Sequence, residues 1–133
     1  MKRPESGAAD DPREWLRRAR SNLTRAKTGV DIPEVFFEDL CFDAQQAAEK
    51  ALKAVLIHWN IRFPYTHDLA ELLTLVENKG GSVPPGVREA GHLTPFAAEL
   101  RYPGFEREVT RDRYEQLVAI AEAVVRWAEE RIS

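Results

Sequence analysis

The sequence predicts an all-α protein, an up-down antiparallel bundle of four to five helices. Apolar residues recur at helical spacing through long stretches, and helix-start and helix-stop residues bracket those stretches. No segment alternates polar and apolar residues at a period of two, and no hairpin turn sits between strand-like runs. Short connections between consecutive helices favour antiparallel neighbours. At 133 residues the chain is one domain, long enough to bury a core and too short for two.

Residues 1–10 are polar, carry Pro, Gly and Ser and show no period, so a flexible tail is expected there, with 11–133 as the helical domain. Asp11-Pro12-Arg13-Glu14 reads as a helix start: Asp as N-cap, Pro at the first helical position, Glu closing a capping box. Trp15, Leu16, Ala19, Leu23 and Ala26 follow on one stripe, and Gly29 ends the helix. A second helix is expected over about residues 33–59, with Phe37, Leu40, Cys41, Ala44, Ala48, Ala51, Leu52, Val55 and Trp59 as its core face. A second band on it holds Phe42, Gln45, Glu49, Lys53, Leu56 and Ile57. That mixture is too apolar for a solvated face, so Phe42, Gln46, Leu56 and Ile57 are assigned to a dimer or partner surface.

Residues 60–65 read as a loop, because Pro64 prevents helix continuation. Thr66 is expected to cap a third helix with Asp68 in its first turn, where a carboxylate complements the helix dipole. Leu69, Leu72, Leu73 and Val76 form its buried stripe, and Gly80-Gly81 stops it. A fourth helix is expected over about residues 87–100, weakened by Gly91 and Pro95, before a Pro/Gly connection at residues 101–105. Thr110 caps a final helix whose inner face is Tyr114, Leu117, Val118, Ala121, Val124, Val125 and Ala128. Ile120 and Trp127 fall outside that stripe and call for a second neighbour.

The composition, 44% apolar and 31% charged, is that of a soluble globular protein. No apolar run approaches the length of a membrane span, and the polar start excludes a secretory signal peptide. The single cysteine, Cys41, cannot form an internal disulfide, and no Cys/His spacing suggests a metal site, so neither metal nor cofactor is expected. Together these place the protein in the cytoplasm. A net charge of −3 argues against general polyanion binding and leaves room for a local basic face.

The segment Phe42-Asp43-Ala44-Gln45-Gln46-Ala47-Ala48-Glu49-Lys50-Ala51-Leu52-Lys53-Ala54 resembles the signature helix of HEPN domains (higher eukaryotes and prokaryotes nucleotide-binding). Thr66-His67-Asp68-Leu69 and Arg101-Tyr102-Pro103 fit the same family in the right order, as does Trp15-Leu16-Arg17-Arg18-Ala19, so the likeness covers about residues 12–130. The resemblance implies a five-helix up-down bundle that commonly dimerises. Small members often stand beside a minimal nucleotidyltransferase, as two-component or toxin–antitoxin-like pairs. Other members are metal-independent ribonucleases carrying Arg, four to six residues, then His near the start of a late helix.

That chemistry needs a base for the 2′-hydroxyl proton and a cation for the charge on phosphorus. The segment after Arg101 contains no histidine, and Glu106 and Glu108 would repel a phosphate. Arg62 and His67 have a four-residue gap but straddle a proline-containing loop, and Arg88 and His92 are separated by only three residues. Arg62 and His67 are therefore the weak catalytic pair, with a loop-fixing hydrogen bond as the simpler role for His67.

The candidates for nucleotide or RNA contact are Gln45, Glu49, Lys50, Lys53, His67, Asp68, Arg101 and Tyr102. The alternative for the helix-two group is an i,i+4 Glu49–Lys53 pair with the glutamines as hydrogen bonders. Arg101 and Tyr102 offer a phosphate contact and a stacking ring, or a salt bridge and packing at a turn. Arg13, Arg17, Arg18, Arg20, Arg25 and Lys27 give helix one a basic outer face, which acids elsewhere in the fold are expected to balance. Cys41 is expected to be an inert core residue. The expected function is a binding and interaction module, a homodimer partnered by a nucleotidyltransferase. The alternative is a ribonuclease.

Overall fold

The computed structural model describes residues 10–97 and 108–133, and the order of elements is helical throughout. Helix α1 spans Pro12–Thr28, α2 Phe37–His58, α3 Leu69–Asn78, α4 Pro85–Arg88 and α5 Arg111–Ile132. Short 3-10 segments at Gly29–Asp31 and Glu89–Phe96 follow α1 and α4. Among the described residues there is no strand, and no helix is long and apolar enough to cross a membrane.

Helix α2 is the centre of the bundle, packed against α1, α5, α3 and the second 3-10 segment. Five long-range pairs fix the directions. Gly29 lies against Leu40 while Asn22 bonds Asp43, so α1 and α2 are antiparallel. Arg20 pairs with Glu129 and Lys27 with Glu122, so α1 and α5 are also antiparallel. The Phe37 and Tyr114 rings, one at the start of each helix, stack at 5.1 Å, as parallel α2 and α5 require. Small residues let the helices approach closely. Ala19 and Ala26 of α1, Ala44, Ala47, Ala48, Ala51 and Ala54 of α2, and Ala121 and Ala128 of α5 are all buried.

The expected core stripes of α1, α3 and α5 are inside the bundle, although Trp15 and Leu23 are only half-buried. Two helix boundaries and the geometry of one cap differ from expectation. The second helix starts at Phe37 rather than near residue 33, because the chain must reverse after α1. A turn closed by Val35 N–H on the Ile32 carbonyl takes up Pro33. Gly29 ends α1 in right-handed geometry, not the left-handed cap that usually selects glycine. Its role is steric, since a Cβ there would run into Leu40. The fourth helix is only the single turn Pro85–Arg88, followed by 3-10 backbone that becomes extended at Ala97. Pro95, which has no N–H to give, lies inside that 3-10 stretch.

The caps also redistribute. Asp11 accepts from the Arg13 N–H at 2.9 Å, but Glu14 turns to Arg17 and Arg18 instead of closing a box. Asp68, not Thr66, is the N-cap of α3, accepting from Ala70 N–H at 3.0 Å, while Thr66 supports the Asp68 N–H. Thr110 caps α5 as expected, accepting from Arg113 N–H at 3.1 Å. Two helices stop in Schellman motifs. Asn60, at φ 57°, follows α2, with Ile61 N–H on the Leu56 carbonyl and Asn60 N–H on that of Ile57. Gly80, at φ 87°, does the same for α3, with Gly81 N–H on Val76 and Gly80 N–H on Glu77.

The second band of α2 is corrected most. Leu56 and Ile57 are buried within this chain, as are Gln45, Glu49 and Lys53, because α2 is covered on most of its circumference. Leu56 and Ile57 therefore belong to the core and not to a partner surface. Phe42 and Gln46 remain half-buried. Trp127 is likewise buried, with the Arg131 guanidinium 5.7 Å from its ring, whereas Ile120 is half-buried.

Two substitutions test this packing. Tyr114 donates its hydroxyl to the Ala26 carbonyl, tying the first turn of α5 to the end of α1. Tyr114→Phe leaves that carbonyl without its donor and is expected to cost about 1–2 kcal/mol in urea unfolding. A Cβ at Gly81 would stand 2.6 Å from Val76 Cγ1 and 2.9 Å from the Val76 carbonyl oxygen. Gly81→Ala is therefore expected to cost about 1–3 kcal/mol by the same measurement, whereas Gly86→Ala, with open space around it, should be nearly neutral.

Candidate functional site

Glu49 lies midway along α2 with only 5% of its surface exposed, and four side chains organise around its carboxylate. Gln45, one turn earlier, donates Nε2–H to Oε1 at 2.7 Å, and Lys53, one turn later, donates Nζ–H to Oε2 at 2.8 Å. His67 brings Nδ1 to 2.8 Å from Oε1, reaching in from the loop that precedes α3. Gln46 extends the chain by donating to Gln45 Oε1 at 2.7 Å. The sequence produces the column simply: positions 45, 49 and 53 are four apart and so stack along one face of a helix.

Burial alone would push the Glu49 carboxyl up. The Lys53 ammonium, with His67 and Gln45 as further donors, outweighs that and holds it below its usual range. An ionised carboxylate can only accept, so His67 places its proton on Nδ1 and leaves Nε2 as the free ring nitrogen. The arrangement is a carboxylate–imidazole dyad, the same device that fixes tautomer and ring orientation in histidine bases. Lys53 completes its surroundings with aromatic faces. Its Nζ stands 5.8 Å from the Phe63 ring centre and 5.9 Å from that of Tyr65. Tyr65 is 64% exposed and meets His67 edge-on at 5.4 Å. The loop of residues 60–68 can hold Phe63, Tyr65 and His67 over α2 because Asn60 turns the chain back at one end and Asp68 starts α3 at the other.

The sequence candidates thus divide. Gln45, Gln46, Glu49, Lys53 and His67 come together. Lys50 does not: it faces α1, where Nζ donates to Asn22 Oδ1 at 2.7 Å. Asp68 is spent on capping α3. Arg62 is exposed and makes no hydrogen bond or ion pair among the described residues, so it does not join His67 in a pair. Arg88 is engaged by Glu77, and His92 by Glu89 at 2.8 Å, which occupies the other near-match. Arg101 and Tyr102 lie outside the described residues. Cys41 is buried and its thiol is pushed up to about 12, chiefly by that burial, so it is not a nucleophile. Phe63 and Tyr65 were missed by sequence reasoning. Their spacing around Pro64 in a loop carries no periodic signal, and only the fold places both rings against Lys53.

The dyad makes acid stability depend on Glu49. Its depressed value means that its contribution is fully present above the usual carboxyl value of 4.5 and is lost as pH falls through the folded value. Glu49→Ala leaves the Lys53 charge buried without its carboxylate and should cost about 3–5 kcal/mol at neutral pH. In thermal melts the gap between wild type and variant should narrow below that value; a constant gap would show that the carboxylate is not the group responsible.

The model of the HEPN domain family matches residues 12–131. Among solved structures, the chain is similar to TT1696 from Thermus thermophilus, at 28% identity and a TM-score of 0.77, over 90% of this chain and 97% of that one. It is also similar in fold to ST0689, an archaeal HEPN homologue, at 21% identity and a TM-score of 0.72, over 92% of this chain and 98% of that one. No curated protein matches the sequence. With a family match spanning nearly the whole helical region and a fold shared end to end with both structures, the chain belongs to the HEPN domain family.

Proposed function

We propose that this HEPN domain is a binding and interaction module that takes nucleotide or RNA beside His67 and Tyr65 and works with a minimal nucleotidyltransferase. The observation that carries the ligand reading is the Glu49-anchored cluster with an exposed ring at its edge. An imidazole with a free Nε2 and a ring open to solvent are the two contacts an unpaired base uses, one for hydrogen bonding and one for stacking. The non-catalytic reading follows from charge. Lys53, the cation of the cluster, is already neutralised by Glu49, and Arg62 stands apart, so among the described residues no spare cation lies in the His67 cluster to support charge on phosphorus. If nucleotidyl transfer is involved, its metal-binding carboxylates lie on the partner, since no group of His, Cys, Asp or Glu among the described residues could hold a metal ion.

The partner reading, including a homodimer, comes from the family resemblance. The described surface that suits it is the corner between α1 and α2, where Ile32 and Phe36 are exposed. Phe36 is the N-cap of α2 yet makes no side-chain cap bond, so that position is not optimised for helix stability. Light scattering after size exclusion is expected to show a dimer at micromolar concentration that Phe36→Asp disrupts; a strictly monomeric wild type removes self-association from the proposal.

One observation favours a second reading. The Glu49–His67 dyad orients Nε2 as a base, which a metal-independent ribonuclease also needs. Incubation of RNA with purified protein in EDTA separates the two. The module reading expects no cleavage by wild type and weaker RNA binding by His67→Ala and Tyr65→Ala, the latter by about tenfold. Cleavage leaving cyclic phosphate ends, lost in His67→Ala, establishes the ribonuclease instead.

A further inference from the structure

A second polar network crosses the α1–α2 interface, about 100° around α2 from the His67 cluster. Asp43 and Asn22 are both buried there, and Asn22 Nδ2–H donates to Asp43 Oδ1 at 3.1 Å. The same carboxylate oxygen takes the Arg25 guanidinium at 2.9 Å. With its amide nitrogen committed to Asp43, Asn22 turns its oxygen to Lys50, whose Nζ donates to it at 2.7 Å. The amide is a relay: a carboxylate at one end fixes its orientation, and an ammonium is held at the other.

Lys50 is unusual for a half-buried lysine. Its one partner is a neutral oxygen, and it makes no ion pair with a carboxylate among the described residues. An ammonium has three N–H donors, so two remain uncommitted among the described residues. Burial first, and then the nearby charge of Arg18, with a smaller push from Arg25, lowers its proton affinity against the opposing pull of Glu49 and Asp43. Lys50 is half-buried, while Arg18 and Arg25 beside it are exposed and already paired with Glu14 and Asp43. The like charge left uncompensated therefore falls on the ammonium, and an added anion would relieve it. Arg18 spends Nε on Glu14 at 3.1 Å and Arg25 one amino group on Asp43, so both keep guanidinium N–H groups open to solvent. Two other basic residues of α1 differ: Arg20 and Lys27 are drawn to Glu129 and Glu122 of α5, away from this network.

We propose that Lys50, flanked by Arg18 and Arg25 and seated on the Asn22–Asp43 relay, forms a binding site for a phosphate group. The ligand class is a phosphate monoester or diester, whether from a free nucleotide or from a nucleic-acid backbone. A tetrahedral oxyanion has enough acceptors to take both spare Lys50 donors and an arginine edge at once. Asn22 and Asp43 are positioning residues, since they act on the anion only through Lys50 and Arg25. The site shares no residue with the His67 cluster, so it stands or falls independently of the reading given above.

Lys50→Gln and Arg18→Ala test it, with titrations of inorganic phosphate, ATP and a short fluorescein-labelled single-stranded RNA. The expected result is that wild type binds at least one probe and each variant weakens that binding about tenfold. If the RNA is the probe bound, the salt dependence of binding should become shallower by about one ion in Lys50→Gln. Competition of RNA by ATP or phosphate assigns the site to a terminal phosphate; binding of RNA without competition assigns it to the backbone. In the absence of ligand, Lys50→Gln should melt at or above the wild-type temperature, because it relieves like charge, whereas a purely structural lysine would melt lower on removal. The exposed Arg18→Ala keeps the test valid should Lys50→Gln fold poorly. His67→Ala should retain phosphate binding, which separates failure of this site from failure of the other. No binding of any probe by wild type, or equal binding by wild type and both variants, overturns the proposal.

Discussion

A carboxylate buried in the middle of the central helix has to be surrounded by donors, and that requirement organises half of this molecule. Glu49 takes hydrogen bonds from Gln45, Lys53 and His67, two of them from its own helix and one from a loop eighteen residues later in sequence. An isolated buried charge is costly enough that the structure around it is not free to vary. The loop of residues 60–68 must therefore come back over α2, and Asn60 and Asp68 make the return possible at its two ends. In turn, the return sets the start of α3 and carries Phe63 and Tyr65 to the Lys53 ammonium.

The same helix meets a different constraint on its α1 side. There the alanines of both helices bring the backbones close, and the polar groups left in that narrow interface satisfy one another through Asn22. Two polar networks thus lie on either flank of α2, and Gln46, bonded to Gln45 and half-buried, stands between them. The apolar work of the fold falls to residues such as Leu52, Val55 and Leu56, which join the core cluster where α2 packs on α5, α3 and the second 3-10 segment. A helix that is charged at its centre and yet covered on most sides explains why a purely amphipathic reading of it fails.

The chemistry follows from the sign and placement of these groups. In the His67 cluster the cation and the carboxylate cancel, which leaves orientation and hydrogen bonding as what the site offers. In the Lys50 network one carboxylate serves Arg25 and Asn22, and the ammonium next to them is left with a neutral partner. The HEPN scaffold, whose fold this chain shares with TT1696 and ST0689, positions the helices, and the division of charge between the two flanks of α2 decides what each flank can hold.

The sequence by itself determined the all-α class, the stripes of α1, α3 and α5, the caps at Asp11 and Thr110, and the family, because periodicity and capping are local properties of the chain. It also marked Gln45, Glu49 and Lys53, since four-residue spacing on a helix is a local fact as well. Only the tertiary structure decided what those residues face. Leu56 and Ile57 looked like surface because a helical wheel cannot tell how many neighbours will cover it, and α2 turned out to be enclosed. Lys50 sits beside Glu49 in sequence but points to α1, about 100° around the helix. The pairing of His67 with Glu49, the aromatic faces on Lys53 and the steric reason for Gly29 all depend on contacts between distant segments, whose geometry exists only once the helices have packed.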